Sequence, residues 1–464
     1  MSSELTEDPV DNKGIEVRGI ERVSPAERDH IRIFDNFTLW VSANLVISTV
    51  ALGSLAINVF KLGVWDGMVA ILIFNALGVL PVAFFSTLGP KLGLRQMTIS
   101  RFSFGWVGSI LMALFNIAAC ICWSAVNVIV GGQLVLAVSN GSVPRWVGIL
   151  IIAALTTLVS IHGYKYVHRY QRYAWIPMLF IFSIIFFVSA PNFQAVAPET
   201  SGIAQFSAFM SFGGAIYGFA TGWSSYAADY NVNQPEDTPP TRVFWLTFLG
   251  IFIPCVLLET LGLALTTVPA FKGKGGGELF AAAVTPLGIF GALLMVLLAL
   301  SVVASNIPSD YSLALSMQLL GHRFQRIERA VWTIVGSFIY LAIALPSANN
   351  FDKTLDSFLL LIAYWLGPWE IILILEHFVF RRGQYNVEDW NNPSKLPSGW
   401  AAITAMGIGL VGVFLGAAQE KFVGLLARLI DPPYRMDIGF ELGVLFAGLA
   451  YFFLRRIELH NNQR

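Results

Sequence analysis

Between Phe37 and Arg456 one apolar stretch follows another, each near or beyond the length that crosses a bilayer, with short connections and no second polar block. A hydrocarbon core of ~30 Å takes about 20 apolar residues as a helix. Lipid leaves no backbone polar group a partner outside the segment, so a repeated pattern of this kind is confined to helices. Only 12% of the residues are charged and 56% are hydrophobic, where a soluble domain carries about 25% charge. The expected fold class is an all-α polytopic membrane protein.

About twelve transmembrane helices are expected, near 37–60, 67–88, 106–138, 146–163, 173–190, 206–228, 243–268, 286–320, 330–346, 355–376, 400–418 and 438–454. Residues 1–36 are polar and lack a short apolar segment with a small-residue cleavage site, so the first span is expected to serve as the anchor. This gives an N-terminal tail at 1–36, a membrane domain at 37–454 and a C-terminal tail at 455–464. With the N-terminus inside, 21 of the 29 Lys and Arg residues fall on the inner side and 8 on the outer. The positive-inside rule then puts both termini in the cytoplasm and leaves no Lys or Arg within any span.

The third and eighth spans are overlong: the 33 residues of 106–138 would run roughly 50 Å as a helix. They occupy equivalent places if 37–190 and 206–376 are two copies of a five-helix unit, with 400–454 as two additional helices. The first span of each copy looks interrupted. Ser42 and Asn44 fall within Trp40-Val41-Ser42-Ala43-Asn44, and glycines and hydroxyls crowd Phe212 to Gly218 and Thr221 to Ser225. Repeats of opposite topology that open with a broken helix are a pattern of secondary transporters. Small residues that let helices pack closely give the same glycine pattern.

Asn116, Cys120, Trp123 and Asn127 share one helical face of the third span, with Trp123 near its midpoint. An indole face can stack on a planar ring, and an amide one turn away offers that ring's edge both a donor and an acceptor. An interhelical hydrogen bond beside a packing Trp has the same signature. Trp223, followed by Ser224 and Ser225, supplies a second indole, and the two could sandwich a planar ligand. In the eighth span Ser301, Ser305, Asn306, Ser309 and Asp310 surround Pro308, which removes a backbone donor and frees a carbonyl.

Glu259 lies in the middle of the seventh span, and with Asp310 it forms a pair of membrane-embedded carboxylates without an obvious cationic partner. Such groups are costly and functional by default, so both are candidates for proton coupling; for Glu259 a structural interhelical bond fits equally well. The basic, glycine-punctuated segment from Gly89 to Gly105 is placed to pack at the cytoplasmic mouth, and its charges also satisfy the positive-inside rule. Cys120, Cys122 and Cys255 lie in apolar runs and read as packed free thiols. No phosphate loop, zinc spacing or nucleophile elbow occurs in a supporting context, so no enzymatic chemistry, cofactor, metal or nucleic-acid partner is expected.

These pieces resemble the purine-cytosine permeases of the nucleobase cation symporter superfamily, most closely the fungal branch. The matching segments are GIEVRGIERVSPAER, WVSAN, GPKLGLRQMTISRFSFG, CWSAVN, TGWSSYAADY and ASNIPSDYS, in the family's order over nearly the whole chain. The resemblance implies a LeuT-type 5+5 inverted repeat with two additional C-terminal helices, a nucleobase bound between bundle and scaffold, and alternating access at the plasma membrane. It implies that Trp123 and Asn127 are the stacking and edge-reading pair, Trp223 with Ser224 the opposing wall, and Ser42, Ser305 and Ser309 polar substrate contacts. Close relatives carry Asn at the two span-eight positions, which bears on base preference. Sodium-driven members place adjacent hydroxyls in span eight, where this chain has Ala304 and Ser305; the missing hydroxyl favours proton over sodium coupling. The expected function is import of cytosine and purine bases with protons. The alternatives are a symporter for uracil, allantoin or thiamine-like rings, and a non-transporting membrane receptor for such ligands.

Overall fold

In the computed structural model the apolar stretches form helices, because only a helix satisfies every backbone group within one segment at membrane depth. The structure describes residues 18–162, 164–348, 351–419, 422–431 and 436–461. The first part of the N-terminal tail, 1–17, and the end of the C-terminal tail, 462–464, lie outside the described residues.

Twelve principal helices run in order. Helix α1 is a bent pair, α1a (Asp35–Asn44) and α1b (Ile47–Asn58), followed by α2 (Val64–Ser86), α3 (Arg101–Val138), α4 (Arg145–Ser160) and α5 (Tyr164–Ser189). Then come α6 (Ile203–Thr221), α7 (Pro240–Thr266), α8 (Ile289–Gln318), α9 (Arg329–Ser347), α10 (Phe351–Leu375), α11 (Trp400–Gly416) and α12 (Gly439–Asn461). Among the described residues eight helices are long and apolar enough to cross a membrane, or nine if the bent α1 counts as one span. No strand occurs among the described residues beyond an isolated bridge between Ala418 and Val423.

The packing carries the internal repeat. Helix α1 packs on α7 as α6 packs on α2; α3 meets α4 as α8 meets α9; and α4 meets α8 as α9 meets α3. Helix α5 touches α1 and α8 as α10 touches α6 and α3, while α2 with α7, α3 with α8 and α4 with α9 pair with their own counterparts. Exchanging each helix of the first five for the one five positions later therefore returns the same pattern. Helices α11 and α12 pack on each other and on α10. The result is a bundle of α1, α2, α6 and α7 against a scaffold of α3, α4, α8 and α9.

Both first helices of the repeats are interrupted, by different means. The halves of α1 meet at 51°, with Leu45 out of helical geometry and Val46 extended. Neither Gly nor Pro makes this break. Polar side chains stabilise it: Asn44 Nδ2 donates to the Trp40 carbonyl (2.9 Å) and Thr49 Oγ1 to the Asn44 carbonyl (2.6 Å). Helix α6 stops at Thr221, and after Gly222 and Trp223 the chain continues as a 3-10 helix, Ser224–Tyr230. Gly213, Gly214 and Gly218 lie inside regular helix, where an added Cβ would run into Phe74, Leu360 and the Leu359 carbonyl. Those three glycines serve close packing, and the break lies beyond them.

Two expectations are corrected. Helix α5 begins well before residue 173 and includes Arg169 and Arg172, so basic residues do enter the helices. Arg172 forks onto Asp35 at the start of α1a, its Nε 2.9 Å from Oδ1 and its second nitrogen on Oδ2. That pairing lets the helix extend past the apolar run. Helix α3 likewise starts at Arg101 and turns at Gly105 (φ 66°), where the Pro397 carbonyl leaves no room for a Cβ.

Candidate functional site

Trp123, Asn127, Trp223 and Ser309 gather where the breaks of α1 and α6 face α3 and α8, while Ser42 and Ser305 lie on α1a and α8 themselves. Trp123, Asn127, Trp223, Ser224, Ser42, Ser305 and Ser309 are all buried, none more than 8% exposed. The site is closed in this conformation.

Asn127 spans the junction. Its Oδ1 accepts a bond from Ser48 Oγ on α1b (2.9 Å), and its Nδ2 donates to Asn306 Oδ1 on α8 (3.3 Å). Asn306 Nδ2 and Ser42 Oγ, on α8 and α1a, are buried without a hydrogen-bond partner among the described residues. Two orphaned polar groups are costly in a dry interior unless a ligand uses them.

The two indoles are held differently. Trp123 meets the rings of Phe219 from α6 (5.3 Å between centroids) and Phe358 from α10 (5.0 Å) nearly at right angles. A Cβ on Gly222 would lie 3.2 Å from its Nε1, so the glycine at the break lets α6 approach this ring. Trp223 packs edge-on against Trp40 and Tyr226, and its Nε1 donates to Asn44 Oδ1 (3.0 Å). That bond joins the two breaks directly.

Pro308 acts as its chemistry requires. Proline lacks the N–H that would bond the carbonyl four residues earlier, here Ala304, and Gln171 Nε2 from α5 supplies the missing donor (2.5 Å). The Pro308 carbonyl accepts from the Tyr230 hydroxyl (2.9 Å). Helix α8 continues through the proline without a break.

The carboxylates occupy separate places. Asp310 belongs to the α3–α8 seam, where Ser124 Oγ donates to its Oδ1 (2.9 Å). Glu259 lies away from the indoles, between α7, α2 and α1b: Asn75 Nδ2 reaches its Oε2 (2.5 Å), and Gly53 packs on its carbonyl. The second oxygens, Asp310 Oδ2 and Glu259 Oε1, have no hydrogen-bond partner among the described residues. The expectation of two membrane-embedded carboxylates is an undercount, because Glu370 on α10 is equally buried and accepts from Tyr217 and Thr221. The reasoning that singles out Glu259 applies to Glu370 unchanged. Asn44 and Asn306 stand out in the sequence as polar residues of the first and eighth spans but not as site residues, and Ser48, beyond the α1 break, was not singled out.

Below the site the segment from Gly89 to Gly105 packs beneath α6: Arg95 donates to the Asp229 carbonyl (2.7 Å), and the Gln96 amide to the Asp229 carboxylate (2.7 Å). His30, Asp35 and His168 bring ligand-type atoms within 4.8 Å of one another. Arg172 already bridges Asp35, and His168 Nε2 faces the Tyr230 carbonyl at 3.2 Å. This cluster therefore closes α1a against α5 and is unsuited to a cation. The three cysteines are free.

Residues 23–434 match the family model described as permease for cytosine/purines, uracil, thiamine, allantoin. The chain belongs to this permease family. It is 44% identical to the purine-cytosine permease fcyB of Emericella nidulans, over 96% of this chain and 89% of the relative. It is 38% identical to the purine-cytosine permease FCY2 of Saccharomyces cerevisiae over 96% of this chain and 86% of that one, and 32% identical to the vitamin B6 transporter TPN1 of the same yeast over 97% and 88%. Among solved structures it is similar to Mhp1, a nucleobase-cation-symport-1 family transporter, in a closed conformation with bromovinylhydantoin bound. The TM-score is 0.74 at 16% identity, covering 97% of this chain and 96% of that one, which establishes the LeuT-type fold. As a permease of this family the chain is a multi-pass membrane transporter and not an enzyme.

Proposed function

We propose that this permease imports cytosine and purine bases across the plasma membrane by proton symport, with both termini cytoplasmic. One observation carries the substrate reading: Trp123 and Asn127 lie one turn apart on α3, where Asn127 bonds Ser48 just past the α1 break and Asn306 on α8, whose Nδ2 has no partner among the described residues. A planar base stacked on the indole would present its edge to these amides and hydroxyls. Ser309 lies beside the Tyr226 hydroxyl and Ser224 beside Glu370, which supports a polar surface there for the substrate, with Ser305 one turn before Ser309 on α8. The names of the relatives over nearly the whole chain support the same substrates.

Proton coupling is supported by chemistry at two places. Glu259 and Asp310 each keep one oxygen on which a proton can sit. Where a sodium ion would need oxygen ligands in α8, Ala304 has no hydroxyl and its carbonyl is already used by Gln171. The positive-inside distribution supports the orientation. A second reading, a related ring such as uracil, allantoin or thiamine, follows from the family's range and from Ser305 and Ser309 in place of amides.

Radiolabelled cytosine uptake in transporter-null cells tests the whole reading. Uptake rises as external pH falls, collapses with a protonophore and ignores replacement of sodium by choline. Strict sodium dependence would refute the coupling, and preferential competition by another ring would reassign the substrate. Binding without accumulation against a gradient would leave a receptor.

A further inference from the structure

Helix α10 brings a third carboxylate to the break in α6. Glu370 lies near the middle of the 357–380 span and is buried. Both its oxygens are taken by α6 hydroxyls: Tyr217 donates to Oε2 (2.7 Å) and Thr221 to Oε1. The two donors are four residues apart and so share one face of α6. Thr221 is the last residue of that helix, one glycine before Trp223. The Ser224 hydroxyl, across the break, is close to the same carboxylate.

Helix packing alone does not call for this group. Gly218 already lets α6 rest on the Leu359 carbonyl, and Gly214 admits Leu360, so an apolar side chain at 370 would complete the joint without burying a carboxylate. No ion pair to Glu370 occurs among the described residues. The same α10 also reaches the other wall, where Phe358 abuts Trp123. Helix α10 thus touches both indole walls, one through Phe358 and one through Glu370 and Thr221.

We infer that Glu370 is a positioning residue for the substrate: its two hydroxyl bonds fix where α6 ends and so set the Trp223 wall relative to Trp123. The inference rests on the nucleobase reading of the pocket. It separates Glu370 from Glu259 and Asp310, each of which has one oxygen bonded and one without a partner.

The test is cytosine uptake kinetics, normalised to surface transporter, for Glu370→Gln, Tyr217→Phe and Thr221→Val. The amide of Gln keeps one acceptor of two, so Glu370→Gln raises KM about tenfold, the scale of one lost hydrogen bond to a carboxylate, while uphill accumulation at saturating cytosine survives. Thr221→Val and Tyr217→Phe raise KM in the same direction, and the one whose bond Glu370→Gln has already removed adds little on top of it. Wild-type KM in Glu370→Gln, or loss of surface protein with unchanged KM, overturns the inference. If Glu370→Gln does not reach the membrane, Thr221→Val and Tyr217→Phe leave the carboxylate in place, and wild-type KM in both overturns it. Absence of cytosine-competable uptake in the wild type would instead sink the nucleobase reading, and this inference with it.

Discussion

The two walls of the site are built in different ways. Along the α3–α8 seam the backbone is regular and polar side chains at helical spacing bond one another: Asn116 with Ser312 and Ser316, Ser124 with Asp310, Asn127 with Asn306. At the facing breaks the backbone is irregular, and side chains at the ends of the broken helices carry the bonds, Trp223 with Asn44 and Thr221 with Glu370. The seam is a preset surface whose geometry the helices dictate. The break wall lacks that regular helical frame, and side-chain bonds across the breaks set its geometry. Asn127 bonds to both sides, through Asn306 and Ser48, and its amide keeps a second N–H and a second lone pair for a base edge.

The largest effect concerns the carboxylates, one in the seam and one on the bundle side. Asp310→Asn or Glu259→Gln abolishes uphill accumulation of cytosine while leaving exchange partly intact, because each removes a group able to carry a proton through the membrane. Counterflow against net accumulation in the same cells distinguishes the two activities. Full accumulation in both variants would remove them from the coupling mechanism.

Asn127→Ala sharpens the comparison next. It deletes the amide that meets the base edge and leaves Ser48 and Asn306 without it, so affinity falls by about 1–3 kcal/mol and the preference among cytosine, adenine and hypoxanthine changes. Equal weakening for all bases together with lower membrane abundance would make Asn127 a structural bridge only. The smallest effect falls on the break wall. Trp223→Phe keeps a ring but loses the bond to Asn44, for a loss of about 0.5–1.5 kcal/mol, read as a modest rise in KM for every base alike.

The same contrast explains what the sequence could reveal. Helix positions were legible because each needs about 20 apolar residues, and the seam was legible because Asn116, Trp123 and Asn127 recur on one face. The start of α5 was not, since Arg169 and Arg172 end the apolar run and its polar residues find their partners, Asp35, Tyr230 and Ala304, far away in the chain. The break in α1 was foreshadowed by Ser42 and Asn44, but its exact place depends on Thr49 bonding the Asn44 carbonyl. In α6 the sequence flagged both Phe212 to Gly218 and Thr221 to Ser225, and only the second is the break, because a glycine that admits a neighbour and one that ends a helix look alike in sequence. Glu370 stood in an apolar run like Glu259; its bonds to Tyr217 and Thr221 came only with the fold.

The central claim is that a base stacks on Trp123 where the two walls meet. The direct measurement is cytosine affinity of purified, correctly inserted protein for Trp123→Ala beside Trp65→Ala, since Trp65 is 76% exposed and remote from the site. The account predicts that Trp123→Ala weakens binding by about 1–3 kcal/mol, the scale of base–aromatic stacking, that Trp123→Phe recovers part of it, and that Trp65→Ala leaves affinity unchanged. Wild-type cytosine affinity in Trp123→Ala would contradict it.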